Sequence, residues 1–247
     1  MLYTAAIDDS ADRRRERVVI SAAVVGDATR WSHLDKRWRA RLEIDGIAYF
    51  KSSQCKSRSR QFHKFRDESR YPPPSGEKLA AKVQLDLDAI IRESNLMCIG
   101  AIVPMEIYNR VKQDPEIVDK AGTDPYEWAV QAVWGECAMG MRELGRNNIV
   151  QFIHDDGNNF PILTSLYLKF KKNPPHRKYS KLMAGFTARN DKADTSIQAA
   201  DVAASVIYRY AEDWAADPTN DNLKRLRGSM YKIVTWNEEA ARRAITT

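Results

Sequence analysis

Cysteine and glycine are scarce in this chain, and their distribution excludes several kinds of site. The three cysteines are Cys55, Cys98 and Cys137, and no two of them form a Cys-x-x-Cys motif. A thiolate zinc site or a disulfide framework is therefore not expected, and a reducing, cytoplasmic setting fits best. Among only 11 glycines there is no GxxxxGK[ST], GxGxxG or GxSxG motif, which excludes the usual phosphate loop, dinucleotide fingerprint and nucleophile elbow.

Long apolar runs are also missing. No stretch approaches the ~18 uninterrupted apolar residues of a membrane span, and the first residues lack the basic-then-apolar pattern of a signal peptide. We therefore expect no membrane partner. Hydrophobic residues nevertheless make up 43% of the 247 residues and charged residues 29%, so the chain can bury a sizeable core, and we expect one large domain.

The apolar patterns predict a mixture of strands and helices. Strands are predicted at residues 2–7, 18–25, 96–103, 149–154 and 182–186, with a weaker indication at 231–234. Helices are predicted at residues 31–43, 77–94, 105–112, 126–144, 159–171 and around Asp201. This order predicts an α/β fold over residues 1–247, a mixed sheet flanked by helices with helical insertions. Residues 51–76 are predicted to be a basic insertion and residues 217–247 a C-terminal extension.

The predicted helix around Asp201 combines an apolar surface with a carboxylate. From Ala199 to Tyr208 nearly every residue is small or apolar, which is typical of a helix packed inside a domain. A buried carboxylate is costly unless it is paired, protonated or bound to a metal. Helical periodicity places a polar strip on the flank of this helix, formed by Asp194, Gln198, Asp201 and Ser205. The strip could line a site; alternatively, Asp194 and Gln198 cap the helix and Asp201 pairs with an arginine.

Two predicted strands end in paired aspartates, Asp8-Asp9 and Asp155-Asp156. Ligand sites in α/β sheets gather at strand ends, and successive side chains of a strand point to opposite faces, so one aspartate of each pair should face a given site. With Asp201 they supply carboxylates from three distant segments, and carboxylate oxygens are the ligands that Mg²⁺ and Mn²⁺ prefer. Two such ions can promote phosphodiester cleavage. Alternatively, the aspartates are ordinary turn formers and helix caps.

Three segments resemble the domain of unknown function 3800 family. Residues 3–10, Tyr-Thr-Ala-Ala-Ile-Asp-Asp-Ser, are similar to the Asp-Glu-Ser strand at the start of that family, with Asp9 in place of the usual glutamate. Residues 197–204, Ile-Gln-Ala-Ala-Asp-Val-Ala-Ala, are similar to its Gln-Leu-Ala-Asp helix, which is the most specific of the three. Residues 152–155, Phe-Ile-His-Asp, resemble its middle acidic strand. The order and spacing of the segments span nearly the whole chain.

The resemblance implies an RNase-H-like fold and metal-dependent nuclease activity, and some members of the family occur near bacterial anti-phage functions. Carried over residue by residue, Asp8, Asp155 and Asp201 would be catalytic ligands of Mg²⁺ or Mn²⁺. Gln198 would orient a ligand or the substrate. The family often has Phe-His after the second strand, where this chain has Phe-Lys, ending in Lys51. Lysine cannot replace histidine as a metal ligand or a near-neutral base at its normal pKa, so the resemblance does not support a mechanism that requires that histidine.

The net charge of +6 favours an anionic partner such as nucleic acid. Residues 51–70 include seven lysines or arginines and residues 169–181 include six, which could neutralise phosphates. Phe62, His63 and Phe65 interleave the first segment and could stack on bases. The residues predicted to contact nucleic acid are Lys51, Lys56, Arg58, Arg60, Lys172, Arg177 and Lys178. Alternatively, both segments are solvated loops.

These observations predict a metal-dependent nuclease that hydrolyses phosphodiester bonds with water as the nucleophile. The alternative is a non-catalytic nucleic-acid-binding or defence-complex subunit that keeps the RNase-H-like fold. Convergence of Asp8, Asp155 and Asp201 would favour the enzyme. An ion pair between Asp201 and an arginine, with the other two carboxylates apart, would favour the alternative.

Overall fold

The computed structural model describes residues 1–12, 14–145, 148–172, 177–216 and 230–239. Six strands form one mixed sheet: β1 (Leu2–Ala11), β2 (Val18–Asp27), β3 (Met97–Pro104), β4 (Ile149–Asp155), β5 (Met183–Arg189) and β6 (Tyr231–Thr235). Their order across the sheet is β5-β4-β1-β2-β3-β6. Strand β2 is antiparallel to both β1 and β3, β4 runs parallel to β1 and β5, and β6 runs parallel to β3. The prediction of an α/β fold with a mixed sheet is confirmed.

Helices cover both faces of this sheet. They are α1 (Ala28–Ile44), α2 (Ser52–Ser57), α3 (Ser75–Glu93), α4 (Met105–Val111), α5 (Pro115–Ala121), α6 (Pro125–Leu144), α7 (Phe160–Lys172), α8 (Arg177–Ser180) and α9 (Thr195–Ala216), with a 3₁₀ helix at Arg60–Arg66. Helices α1, α3 and α9 pack on one face, and α6 and α7 pack on the other. Each strand and helix predicted above is present within the described residues, whereas α2, the 3₁₀ helix, α5 and α8 were not predicted. The predicted end of the first strand is wrong: β1 continues past residue 7 to Ala11, because Asp8 and Asp9 still pair with β2.

Strand β2 is buried on both faces, which explains its uninterrupted apolar sequence. Val18, Ile20, Ala22 and Val24 face α9, and Val19, Ala23 and Val25 face α6. Helix α9 packs mainly against β1 and β2. It also approaches β3 closely at Gly100, where a Cβ would lie 2.5 Å from Cδ1 of Ile207. The glycine therefore lets this helix lie flat across the sheet.

The basic segment after residue 50 is anchored in the core by aromatic side chains. Phe62 and Phe65 are 0% and 2% exposed. Their rings continue a series of contacts that begins at Trp38 and Phe50 and ends at Tyr71. The expectation that Phe62 and Phe65 stack on bases is wrong, because side chains enclosed between α1, α3 and the sheet cannot reach a nucleic acid.

The cysteines, the helices and the C-terminal extension bear on the remaining predictions about the fold. The three cysteines are free and buried. None of the helices in the described ranges is long and apolar enough to cross a membrane. Of the predicted extension, residues 231–235 form the edge strand β6 beside β3. Its residues 217–229 and 240–247 lie outside the described residues.

Candidate functional site

Asp8 lies within β1 and Asp155 ends the neighbouring parallel strand β4, and both face the same side of the sheet. The paired register of β1 and β4 runs up to Ile7 and His154, so Asp8 and Asp155 are the next residues along each strand. Ala6 belongs to a small apolar cluster with α9. Because side chains two residues apart share a face, Asp8 points to the α9 side. The same cluster contains the residue two positions before Asp155, so the alternation of each strand selects one aspartate from each pair.

Asp201 of α9 brings a second negative charge to Asp8. Burial raises the pKa of Asp8 well above its usual value, and the charges of Asp201 and then Asp9 raise it further. Burial also raises the pKa of Asp201, to about 6. Oδ2 of Asp201 accepts a 2.6 Å hydrogen bond from the backbone N–H of Ser52. Within the described part of the chain, neither carboxylate forms an ion pair. The pairing of Asp201 with an arginine, held open above, does not occur there.

Asp155 lies in a second acidic group, with Asp191 and Lys51. Burial raises the pKa of Asp155, as does the charge of Asp191, whereas the charge of Lys51 lowers it. Nζ of Lys51 donates a 2.5 Å hydrogen bond to Oδ2 of Asp191. Burial lowers the pKa of Lys51, but this hydrogen bond and the charges of Asp191, Asp8 and Asp155 raise it overall. The ammonium therefore lies within electrostatic reach of both acidic groups.

Gln198 joins the two segments that carry Lys51 and Asp191. Its Oε1 accepts hydrogen bonds from Nε1 of Trp38 at 2.9 Å and from the backbone N–H of Phe50 at 3.1 Å. Its Nε2 donates to the carbonyl oxygens of Asp191 at 3.0 Å and Lys192 at 3.3 Å. A glutamine side chain accepts two and donates two hydrogen bonds, so this one is saturated by protein groups. Gln198 therefore positions the walls of the site, and it does not form the helix-start capping box that the sequence also allowed.

Asp9 and His154 belong to the opposite face of the sheet. Nε2 of His154 lies 2.6 Å from the Tyr126 hydroxyl, and Nδ1 lies 3.0 Å from the carbonyl oxygen of Asp155. Because a carbonyl only accepts, Nδ1 carries the proton and Nε2 accepts from Tyr126. Burial lowers the pKa of this histidine, which is 4% exposed. His154 is thus a neutral core residue that holds the backbone of Asp155 in place.

Four carboxylates lie at this site: those of Asp8, Asp155, Asp191 and Asp201. Their oxygen atoms are suitable ligands for a hard divalent cation, but their arrangement does not form a complete metal site. Oxygen donors fit Mg²⁺ or Mn²⁺, and Asp8 with Asp201 is a like-charged pair that remains partly open to solvent. Among the residues that the structure describes, however, no group of three or more histidine, cysteine, aspartate or glutamate side chains could hold a metal ion as placed. The structure brings Asp8 and Asp201 together and leaves Asp155 with Asp191, with the Lys51 charge acting on both groups.

The predicted nucleic-acid contacts in the first basic segment differ in their surroundings. Lys56 and Arg60 are exposed. The positive charge of Lys56 also lowers the pKa of Asp201, although less than burial raises it. Arg58 is engaged in a 2.9 Å ion pair with Glu77. Lys56 is therefore the exposed cation of this segment that acts on the acidic site.

The second basic segment is described only in part. Lys172 is exposed at the end of α7. Arg177 and Lys178 begin α8, but their side chains lie outside the described part of the structure, as do residues 173–176. The predicted contacts of Arg177 and Lys178 with nucleic acid stay predictions.

Sequence reasoning missed Asp191 and Ser52. Asp191 contacts Lys51 across 140 positions of the chain, and Ser52 reaches Asp201 across 149. No local pattern marks such a pair; the only available signal for Asp191 was an acid in the polar turn before the Asp201 helix.

No family model matches the sequence, and no curated protein sequence matches it.

Proposed function

We propose that the chain is a metal-dependent nuclease with an RNase-H-like fold that hydrolyses phosphodiester bonds of nucleic acid. The observation that carries the proposal is the placement of Asp8 beside Asp201. The charge of Asp201 acts on Asp8, and both carboxyls have raised pKa values. Both residues are partly exposed, and no cation of the described residues forms an ion pair with either. Such a pair is costly by itself and is stabilised by a bound divalent cation.

The sheet and its acidic residues support the RNase-H-like assignment. Three consecutive antiparallel strands are continued by β4 and β5, which run parallel to β1. Asp8 and Asp155 lie on two adjacent strands of this sheet, and α9, which carries Asp201, packs against both strands. This is the order of acidic segments on which the resemblance to the domain of unknown function 3800 family is based.

In the proposed site, Asp8 and Asp201 would hold Mg²⁺ or Mn²⁺, and Asp155 would supply a further oxygen from the adjacent strand. Bound ions of this kind lower the pKa of water and stabilise the charge of a leaving oxygen. The chain's own residues orient these ligands: the Ser52 amide holds one oxygen of Asp201, and His154 holds the backbone of Asp155.

The proposed substrate and location follow from charge and cysteine chemistry. The net charge is +6, and Lys56 and Arg60 are exposed on the segment that leads away from the acidic site. Such cations attract phosphate backbones without reading their sequence. Three buried, free cysteines suit a reducing cytoplasm.

A non-catalytic nucleic-acid-binding or defence-complex subunit is the second candidate. It is favoured by the absence, among the described residues, of three side chains placed to hold a metal ion. The Lys51 ammonium, which acts on the same carboxylates, points in the same direction. Under this alternative the acids and the lysine form a structural charge cluster.

The decisive experiment is a cleavage assay on labelled single-stranded and duplex DNA, RNA and hybrid substrates with Mg²⁺, Mn²⁺ or a chelator. Wild type should cleave at least one substrate only with a divalent cation. Asp8→Asn and Asp201→Asn should each lower the rate by about 100-fold or more, because each removes a charged ligand.

Asp213→Asn is the matched control, because Asp213 is an exposed carboxylate on the same helix. It should cleave at the wild-type rate. Retention of wild-type cleavage by Asp201→Asn would contradict the proposal. Salt-sensitive binding of nucleic acid without turnover in Mn²⁺ would instead support the non-catalytic subunit.

A further inference from the structure

Lys51 is the one lysine hydrogen-bonded to a carboxylate at the candidate site among the described residues. Its ammonium donates to Asp191 at 2.5 Å, and its charge also acts on Asp8, Asp155 and Asp201. The side chain of Lys51 is 40% exposed and that of Asp191 is 18% exposed. The ion pair is thus partly buried, and the lysine side chain keeps access to solvent.

The position of this ammonium is built into the fold. Gln198 accepts a hydrogen bond from the amide of Phe50, the residue before Lys51, and donates to the carbonyl of Asp191. The same buried side chain therefore ties down both partners of the ion pair. A surface lysine that met an acid by chance would have no such shared anchor, and exposed ion pairs are usually weak for that reason.

A single ammonium cannot neutralise the carboxylates around it. Asp8, Asp155, Asp191 and Asp201 bring up to four negative charges against one positive charge. The site thus retains a demand for positive charge that a divalent cation could satisfy, but that cation would meet the Lys51 charge already there.

We propose that Lys51 is an internal counter-ion that competes with the divalent cation for these carboxylates and so sets the metal affinity of the site. The inference rests on the proposed function, because it assumes that Asp8 and Asp201 bind a divalent cation. When the cation binds, the ammonium gives up its interactions with the carboxylates and turns toward solvent. The site is then loaded only at metal concentrations high enough to displace it.

The test is a titration of the full chain with Mn²⁺ alone, followed by calorimetry or by the electron paramagnetic resonance signal of free Mn²⁺. Lys51→Met and Lys51→Gln remove the competing charge and should bind Mn²⁺ about tenfold more tightly than wild type. Lys51→Arg keeps the charge and should stay near the wild-type affinity. The double variant Lys51→Met with Asp8→Asn should lose the gain.

Lys192→Met is the control for a general loss of positive charge near the site. Lys192 is exposed next to Asp191, and its ammonium lies over the Tyr49 ring. The Mn²⁺ affinity of the Lys192→Met variant should stay within about twofold of wild type. Equal or weaker Mn²⁺ binding by both uncharged Lys51 variants would overturn the role of Lys51 while leaving the proposed nuclease intact. Failure of wild type and all variants to bind Mn²⁺ would overturn both proposals.

Discussion

The carboxyl of Asp201 accepts a 2.6 Å hydrogen bond from the backbone N–H of Ser52, but the effect of burial outweighs this bond and the charges of Lys51 and Lys56. Burial raises its pKa to about 6, and Asp8 beside it is raised as well. An acid that is harder to ionise in the folded chain than in the unfolded chain destabilises the fold at neutral pH. Asp8 and Asp201 therefore lower the free energy of unfolding at neutral pH, as is common for residues whose placement serves binding.

This cost predicts a stability that depends on pH. Since the folded pKa of Asp201 lies above its usual value of 3.8, the folded state binds more protons between those two values, and stability falls as pH rises through them. In chelator, Asp201→Asn should be more stable than wild type by about 2 kcal/mol at about pH 7.5. The difference should shrink toward about pH 4. Urea denaturation across this range measures it.

Asp213→Asn serves as the reference in the same experiment. Asp213 is exposed on the same helix, so its substitution should leave stability within about 0.5 kcal/mol of wild type at every pH. If Asp201→Asn were less stable than wild type at neutral pH, the carboxylate would be a stabilising structural group, which is the outcome that disproves this interpretation.

The same turns of helix α9 bury an apolar stripe in the core and carry the polar residues of the candidate site. Helical periodicity predicts an apolar stripe of Ile197, Ala200, Ala204, Ile207, Ala211 and Trp214. The first five residues are buried, and Trp214 is partly buried against the same core. Its polar residues serve different purposes. Asp194 accepts a hydrogen bond from the Ser196 amide at 2.8 Å, as expected for a helix cap, Gln198 holds the neighbouring loops, and Asp201 faces Asp8. Small residues on this helix allow the close approach to the sheet that brings the carboxylates together.

Gln198 should be a large contributor to stability. Gln198→Ala leaves the Trp38 indole, the Phe50 amide and two carbonyls without their partner inside the protein. Buried groups that lose their hydrogen bonds are costly, so we expect a loss of about 4 kcal/mol in the free energy of unfolding. Urea denaturation measures this loss directly.

Gln84→Ala is the matched control for Gln198→Ala. Gln84 is also buried, at 6% exposed, and donates a 3.0 Å hydrogen bond to Oγ of Ser205. Its substitution should cost about 1–2 kcal/mol. Similar losses for the two variants would show that the bonds of Gln198 to the loops carry no special weight.

The sheet separates the molecule into two halves with different chemistry. On one side lie α1, α3, α9 and the four carboxylates around Lys51. On the other side His154 lies 2.6 Å from the Tyr126 hydroxyl, so these two buried groups satisfy each other. The exposed cations Lys56 and Arg60 belong to the segment that packs on the α9 side. If nucleic acid binds, it should approach from that side.

This asymmetry predicts which cations govern nucleic-acid binding. The double variant Lys56→Ala with Arg60→Ala should weaken binding to all substrates and lower the slope of log affinity against log salt by about 1–2. Lys112→Ala removes an exposed lysine that follows α4, a helix packed on the opposite face, and should leave the slope unchanged. Fluorescence anisotropy over a salt series, with metal chelated, provides the measurement. An unchanged slope in the double variant would place the binding surface elsewhere.

Much of the fold and part of the site could be predicted because their causes are local. The alternation of apolar residues predicted the strands, and the helical repeat predicted α9. Strand alternation then left Asp8 or Asp9, and Asp155 or Asp156, as candidates. The prediction that Phe62 and Phe65 stack on bases is wrong because both are buried. The basic composition of their segment indicates exposure and does not show that the aromatic side chains point into the core. Lys51, predicted to contact nucleic acid, forms an ion pair with Asp191 that no local pattern indicates, and its contact with nucleic acid stays a prediction.

The sequence by itself determined the mixed α/β architecture, the buried helix and the acidic residues carried by β1 and β4, since these depend on periodicity over a few positions. Only the tertiary structure decided that Asp8 rather than Asp9 faces Asp201. It also decided that Asp155 lies with Asp191 and that Lys51 acts on both acidic groups. These outcomes depend on the packing of α9 and its neighbouring loops against the sheet. That packing joins residues about 140 positions apart, and no local pattern carries that information.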